Sequence, residues 1–272
     1  MRTAAILPVK RFPLAKQRLG ESVAESLRAN LARAMVGDVL SSLRECPAID
    51  ATIVVTCEPS VTAAARYIGA VVVEDTAEQG QSAAASLGLA YALQEGFERA
   101  LCVPGDCPTL DPDELVELLA AATPDESVDL QSVVAPERAR AGAKSEIAAQ
   151  AEVVIVPDRH GKGTNGLLLS PPDALSPSFG PDSRARHERL AIESGVKCRI
   201  AQPASLLLDI DTGEDLAALR ERVAGEHVRA PRTRAVLAQA EADERAVLAQ
   251  AEADERASEA MPTDPSTTTR AA

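Results

Sequence analysis

The chain has 272 residues, 46% of them hydrophobic, which suits one large α/β domain or two small ones, and its formal net charge of −13 excludes a non-specific nucleic-acid binder, which needs a basic face. Tryptophan is absent and aromatics make up 2%, so the core must be built from Ala, Val, Leu and Ile. Five scattered cysteines (Cys46, Cys57, Cys102, Cys107, Cys198) show no CxxC or zinc spacing, and no apolar run approaches the ~18 residues of a membrane span. The expectation is a soluble cytoplasmic protein with reduced thiols, no signal peptide and no membrane segment.

In chain order, Ala4–Val9 reads as a buried strand, and Ser22–Leu43 as a helix with Val23, Leu27, Leu31, Met35 and Val39 at helical spacing. Ala51–Thr56 is a second strand, Val61–Ile68 a helix, Ala70–Val73 a third strand and Ser82–Gln94 a helix rich in small residues. Ala100–Val103 and Pro112–Ala122 complete another strand–helix pair. The segment 124–150 breaks the rhythm and reads as a polar surface insertion. Val153–Val156 and Gly166–Leu169 resume as strands, Ser183–Ser194 as a helix, Ser205–Ile210 as a last strand, and about Glu214 to Val223 as a helix. Continuous apolar strands alternating with helices predict a mostly parallel sheet covered on both faces, with right-handed crossovers.

The C-terminal region differs in kind. RAVLAQAEADE occurs at Arg234–Glu244 and again at Arg245–Glu255, an 11-residue helical period with a thin apolar stripe. It predicts an exposed helix or an oligomerisation appendage, followed by a disordered end. The expected organisation is a catalytic domain over 1–228 and a helical and disordered tail over 229–272.

Five motifs carry chemistry. In LPVKRFPLAKQRL, directly after the first strand, Lys10, Arg11, Lys16 and Arg18 gather positive charge in an acidic protein, where a nucleotide triphosphate needs cations. In VPGDCP, Asp106 stands at the tip of a buried strand, a suitable oxygen ligand for Mg²⁺; Thr109 or Asp111 can cap the following helix, so the cap does not require Asp106. In LLLDIDTGEDL, Asp209 and Asp211 alternate and would face one side of a strand, supplying the second half of a two-carboxylate metal site. In DRHGKGTNG, Gly161 and Gly163 permit close approach of a ligand, with hydrogen-bonding groups on Thr164 and Asn165 and possible cations at His160 and Lys162. In SFGPDSRARH, Gly180 and Ser183 open a helix whose first amides suit an anion, with Arg184, Arg186 and His187 following within a turn. His160, His187 and His227 lack metal-ligand spacing. The chain has no GxSxG elbow, no GxGxxG after the first strand and no GxxxxGK[ST] loop.

PVKRFPLAKQRL, VPGDCP, DRHGKGTN, FGPDSRARH and DIDTGEDL, in that order from Arg2 to about Leu219, resemble the guanylyltransferases of coenzyme F-420 biosynthesis. The resemblance implies a Rossmann-like nucleotide-diphospho-sugar transferase fold and GMP transfer from GTP to phosphoenolpyruvate, with 2-phospho-L-lactate as the alternative acceptor. It implies that Lys10, Lys16 and Arg18 hold GTP phosphates and that Asp106 and Asp211 ligate Mg²⁺ with Asp209 nearby. Thr164, Gly180 and Ser183 match positions that bind phosphoenolpyruvate. Gly80 and Ser82 fall where the family's loop lies near the guanine, and Ser82 replaces the family's usual Asn. The downstream transferase of that pathway is a possible partner. Two other readings stand beside this one: a different nucleotidyltransferase of the same fold, and a non-catalytic binding protein using the repeat helix.

Overall fold

The computed structural model describes residues 1–12, 24–121, 151–225 and 228–259. Lys16, Arg18, the 124–150 insertion and the end beyond residue 259 lie outside the described residues. The strands are β1 (Thr3–Val9), β2 (Ala51–Thr56), β3 (Val71–Val73), β4 (Arg99–Cys102), β5 (Glu152–Pro157), β6 (Thr164–Ser170) and β7 (Lys197–Ile200). The helices are α1 (Glu25–Glu45), α2 (Pro59–Tyr67), α3 (Gln81–Gln94), α4 (Pro112–Ala120), α5 (Ser183–Ser194), α6 (Gly213–Val223) and α7 (Pro231–Glu259). No helix among the described residues is long and apolar enough to cross a membrane.

The seven strands form one sheet in the order β3-β2-β1-β4-β6-β5-β7. β1 pairs in parallel with β2 and β4, β2 with β3, and β5 with β7. Only β6 runs antiparallel, against β4 and β5. The segment between Pro157 and Thr164 is too short for a crossover helix, so the chain must turn back on itself there. The chain moves outward from β1 through β2 to β3, then returns to the other side of β1 as β4. That reversal leaves a crevice beyond the carboxyl ends of β1 and β4, where open α/β sheets bind ligands.

Alternation along the buried strands feeds two cores. Ala5 and Leu7 of β1 join Val36, Val39, Leu40 and Leu43 of α1, Val61 and Ala65 of α2, and Leu115, Leu118 and Leu119 of α4. Ala4 and Ile6 face the other side, with Ala84, Ala85, Leu89 and Ala92 of α3 and Ala191 of α5. Small residues let α3 lie close to the sheet: a Cβ placed on Gly88 would sit 2.3 Å from Ile6 Cγ2.

Two expectations are corrected. Ser205–Ile210 is not a strand; Ala204–Leu206 forms a 3₁₀ turn and the chain continues without regular structure. Its polar backbone is satisfied by other means. The Asn165 side-chain amide donates to the carbonyls of Leu206 (3.0 Å) and Leu207 (3.2 Å), and Ile210 N–H donates to Asp106 O (3.2 Å). The sheet instead gains β7, whose KCRI sequence carries two cations and only partly buried side chains, as an edge strand does.

The repeat helix is also more than an appendage. Ala230 and Leu237 belong to a third core with Leu31 and Met35 of α1, and Leu216, Leu219 and Val223 of α6. Buried Asp38 of α1 caps α7 from outside, accepting from Arg232 N–H (3.1 Å) and Thr233 N–H (2.8 Å). A carboxylate there meets the positive end of the α7 dipole, and Pro231 occupies the first helical position. Arg234 in turn donates to Val223 O (2.8 Å), Gly225 O and Val228 O, closing the carboxyl end of α6. From Glu241 to Asp254 the helix is exposed, as expected for the second repeat.

Candidate active site

The crevice at the sheet reversal opens into a cavity of about 840 Å³. Lys10, Arg11 and Phe12 line it from the end of β1, Cys57 from the end of β2, Gly105 and Asp106 from the end of β4, and Asp158 and Lys162 from the β5–β6 hairpin. Thr164 and Asn165 at the start of β6, Gly180 to Ser183 at the mouth of α5, and Asp209 and Asp211 complete the wall. Four of the five motifs therefore converge within the described residues, together with the first part of the basic one.

The acidic side is assembled from two distant segments. The Asp106 to Ile210 backbone bond holds the β4 tip beside the 209–211 stretch. Burial and then the charge of Asp106, with a further contribution from Asp211, push the Asp209 carboxyl up to about 6, although Asn165 donates to its Oδ1 at 3.1 Å. Three carboxylates that repel one another around a cavity suit a divalent cation. Among the described residues, however, no three His, Cys, Asp or Glu side chains close into a ready-made cage. That donor set fits Mg²⁺, which is held by one or two carboxylates and keeps waters or substrate oxygens in its remaining positions.

Asp215 organises the loop that carries Asp211. It accepts from Asp211 N–H (3.1 Å) and from Thr212 N–H and Oγ (2.7 and 2.8 Å), while Thr212 Oγ1 accepts Asp215 N–H to complete a capping box on α6. Arg159 of the hairpin pairs with Asp215 at 2.7 Å. Burial pushes this carboxyl up, but the Thr212 and Asp211 hydrogen bonds and Arg159 outweigh it and hold the pKa below its usual value. The capping box was legible as T-x-x-D before an apolar run; the Arg159 ion pair was not, because 56 positions of sequence separate the two residues.

The cationic side is only partly described. Lys10 lines the cavity, and Arg11 pairs with Glu78 at 2.7 Å across it. Phe12 N–H donates to Glu58 Oε2 (3.3 Å), so the N-cap of α2 also anchors the basic loop. Asp158 accepts Lys162 N–H and Gly163 N–H, both at 2.9 Å, which folds the glycine-rich hairpin into a tight turn.

On the α3 side, Gly80 and Gln81 line the cavity, with Gly80 at φ +104°, a left-handed conformation that favours glycine. Ser82 is placed differently: its hydroxyl accepts Phe179 N–H at 2.9 Å and joins α3 to the 178–180 loop. Gly180 and Ser183 both reach the cavity, and Asp182, the N-cap residue of α5, makes no side-chain cap. Arg186, a candidate anion ligand by sequence, is consumed by the loop itself: it donates to Ser178 Oγ and to the carbonyls of Ser178, Phe179 and Pro181. Arg184 pairs with Glu188 at 2.9 Å. Asp111 caps α4, accepting Asp113 N–H at 2.8 Å, as expected.

Comparison with known proteins agrees with this arrangement. A MobA-like NTP transferase domain model matches residues 17–253, including the first part of α7. A protein of Conexibacter woesei named phosphoenolpyruvate guanylyltransferase is 44% identical over 88% of this chain and 96% of its own length. A 2-phospho-L-lactate guanylyltransferase of Methanothermobacter thermautotrophicus is 30% identical over 84% of this chain and 89% of its own. Among solved structures, a nucleotide-diphospho-sugar transferase from Desulfovibrio desulfuricans shares the fold at a TM-score of 0.63 with 16% identity, over 89% of this chain and 96% of that one. The chain belongs to the MobA-like NTP transferase family and, within it, to the guanylyltransferases represented by the Conexibacter protein.

Proposed function

We propose that the protein transfers GMP from GTP to phosphoenolpyruvate and releases pyrophosphate, forming enolpyruvoyl-diphospho-guanosine for coenzyme F-420 biosynthesis in the cytoplasm. The observation that carries this reading is one cavity holding Lys10, the carboxylates of Asp106, Asp209 and Asp211, and the Thr164, Gly180 and Ser183 wall, in a chain 44% identical to a protein of that name. A volume of about 840 Å³ lies in the upper part of the range for small-molecule sites, as two substrates side by side require.

A phosphate oxygen of the acceptor attacks the α-phosphorus of GTP in line. The new P–O bond forms as the bond from the α-phosphorus to the α,β-bridging oxygen breaks, and pyrophosphate leaves with the electron pair. The attacking oxygen is already anionic, so no general base is needed. Thr164, Gly180 and Ser183 hold the acid, while the Asn165 amide, engaged by Leu206 O, Leu207 O and Asp209, shapes the wall beside them. Lys10, with Lys16 and Arg18 of the same basic sequence, binds the triphosphate; Gly80 lies on the wall near the base, and Ser82 braces that wall through Phe179 N–H. Asp106 and Asp211 would hold Mg²⁺, with Asp209 nearby, and its charge would offset that on the α-phosphate and the leaving pyrophosphate. Alignment and charge neutralisation supply the catalysis. The Methanothermobacter relative favours 2-phospho-L-lactate as a second acceptor.

Pyrophosphate release from GTP, Mg²⁺ and each acid tests the reading, with the downstream transferase present to draw off product. Release with phosphoenolpyruvate supports it, and no release with either acid refutes it. Asp106→Asn is expected to lower the rate by at least about a hundredfold while the fold persists.

A further inference from the structure

His187 is a buried ring at the joint of three parts of the site wall. Ser178 N–H donates to its Nε2 at 2.8 Å, and its Nδ1 lies 3.1 Å from Thr164 Oγ1. The Phe179 ring packs against it in a T-shaped arrangement, with centroids 5.3 Å apart. One ring on α5 thus touches the 178–180 loop and the first residue of β6, both of which line the cavity.

These contacts decide where the proton sits. A nitrogen that accepts a backbone N–H carries a lone pair, so Nε2 is unprotonated and the neutral ring bears its hydrogen on Nδ1. That N–H points at Thr164 Oγ1, which must therefore accept. A threonine hydroxyl has a single O–H. Among the described residues, no second hydrogen bond to Thr164 Oγ1 is present, and the threonine faces the cavity.

We infer that His187 is a positioning residue that holds the Thr164 hydroxyl as an acceptor on its inner side, so that its proton is delivered into the cavity toward an anionic oxygen of the acid acceptor. This rests on the function proposed above. Phosphate and carboxylate oxygens only accept, so a hydroxyl fixed as a donor matches them, whereas one free to turn its lone pairs inward would repel them. The same ring braces the loop that presents Gly180. Burial, with the neighbouring Arg186 guanidinium, pushes the imidazole down to about 4, so the donor direction does not change near neutral pH.

The two contacts can be separated chemically. The carbonyl oxygen of His187→Gln reaches the Nε2 position and still accepts Ser178 N–H but leaves Thr164 without its donor. The amide nitrogen of His187→Asn occupies the Nδ1 position and restores that donor. The expected outcome is a KM for phosphoenolpyruvate raised about tenfold in His187→Gln, with the KM for GTP unchanged, and a smaller rise in His187→Asn, which keeps the Thr164 donor but loses the Ser178 contact. Thr164→Val should carry the same penalty, and Thr164→Val/His187→Gln no further one. Equal rises in both KM values, or additive penalties, overturn the inference. Nitrogen-15 NMR of the histidine rings in the wild-type protein needs no turnover. A neutral, Nδ1-protonated His187 at pH 7 supports the inference, and an imidazolium or Nε2-protonated ring overturns it. Absence of turnover with both acids would count against the proposed reaction, while the ring's protonation state still judges the geometry.

Discussion

Leu237 and Leu248 occupy the same position in two identical 11-residue repeats, yet the first is 3% exposed and the second 64%. Local sequence and helix propensity are the same at both, so any difference in the effect of truncation must come from what each leucine touches. Leu237 packs in the core shared by α1, α6 and α7. Replacing it with Ala removes buried methyl groups and leaves a cavity, a loss of about 2–5 kcal/mol. Leu248→Ala removes no buried contact and should change stability by no more than about 0.5 kcal/mol. Urea unfolding followed by circular dichroism measures both. With a slope of about 2–3 kcal/mol per molar, Leu237→Ala should lower the midpoint by about 0.7–2.5 M, and Leu248→Ala should shift it by no more than about 0.25 M. Equal midpoints for the two variants would refute the docking of α7 on α1.

Arg159→Met removes the cation from Asp215 while keeping much of the side chain's bulk. It should destabilise the protein by about 1–2 kcal/mol, because a nearly buried carboxylate loses its cation but keeps its Asp211 and Thr212 hydrogen bonds. If Asp215 aligns Asp211 for Mg²⁺, the half-saturating Mg²⁺ concentration should rise as well, and an unchanged metal titration would show that Asp211 is held without this ion pair. His187 makes stability depend on pH. As pH falls below 6.5 the unfolded chain binds a proton that the folded ring, with a pKa of about 4, still refuses. Stability is therefore full above pH 6.5 and lost toward pH 4, by about 2 kcal/mol between pH 6.5 and pH 5. Urea midpoints across that window should fall more steeply in the wild type than in His187→Gln, and parallel curves would argue against a buried neutral imidazole.

The strands and helices read from period and apolar runs return with small changes of boundary, because each is a local pattern repeated over several residues. α5 and β2 keep their bounds, whereas the β1, α2 and α4 ends move by one or two residues. The five motifs were readable because glycine, proline and charged residues cluster at strand ends, where a doubly wound sheet places its loops. Ser205–Ile210 misled because three leucines in a row satisfy a strand pattern. Whether those leucines extend a sheet depends on a partner edge, and here Asn165 and Asp106 take up the backbone groups instead. Ser82, Arg186 and His187 sat in the expected stretches, but their donors and acceptors turn inward to brace the wall.

Order along the chain sufficed to determine the alternating α/β architecture and to place most of the described candidate residues at or near strand ends. Those properties follow from hydrophobic period, charge and steric punctuation, all short-range in sequence. Only the folded chain decided that Asp106 lies beside the 209–211 stretch, that Asp38 caps a helix 193 positions away, and that Leu237 of the first repeat is core while Leu248 of the second is solvated. These outcomes depend on which surfaces the sheet brings together, and a hydrogen bond or a buried contact acts over a few ångströms of space whatever the separation along the backbone.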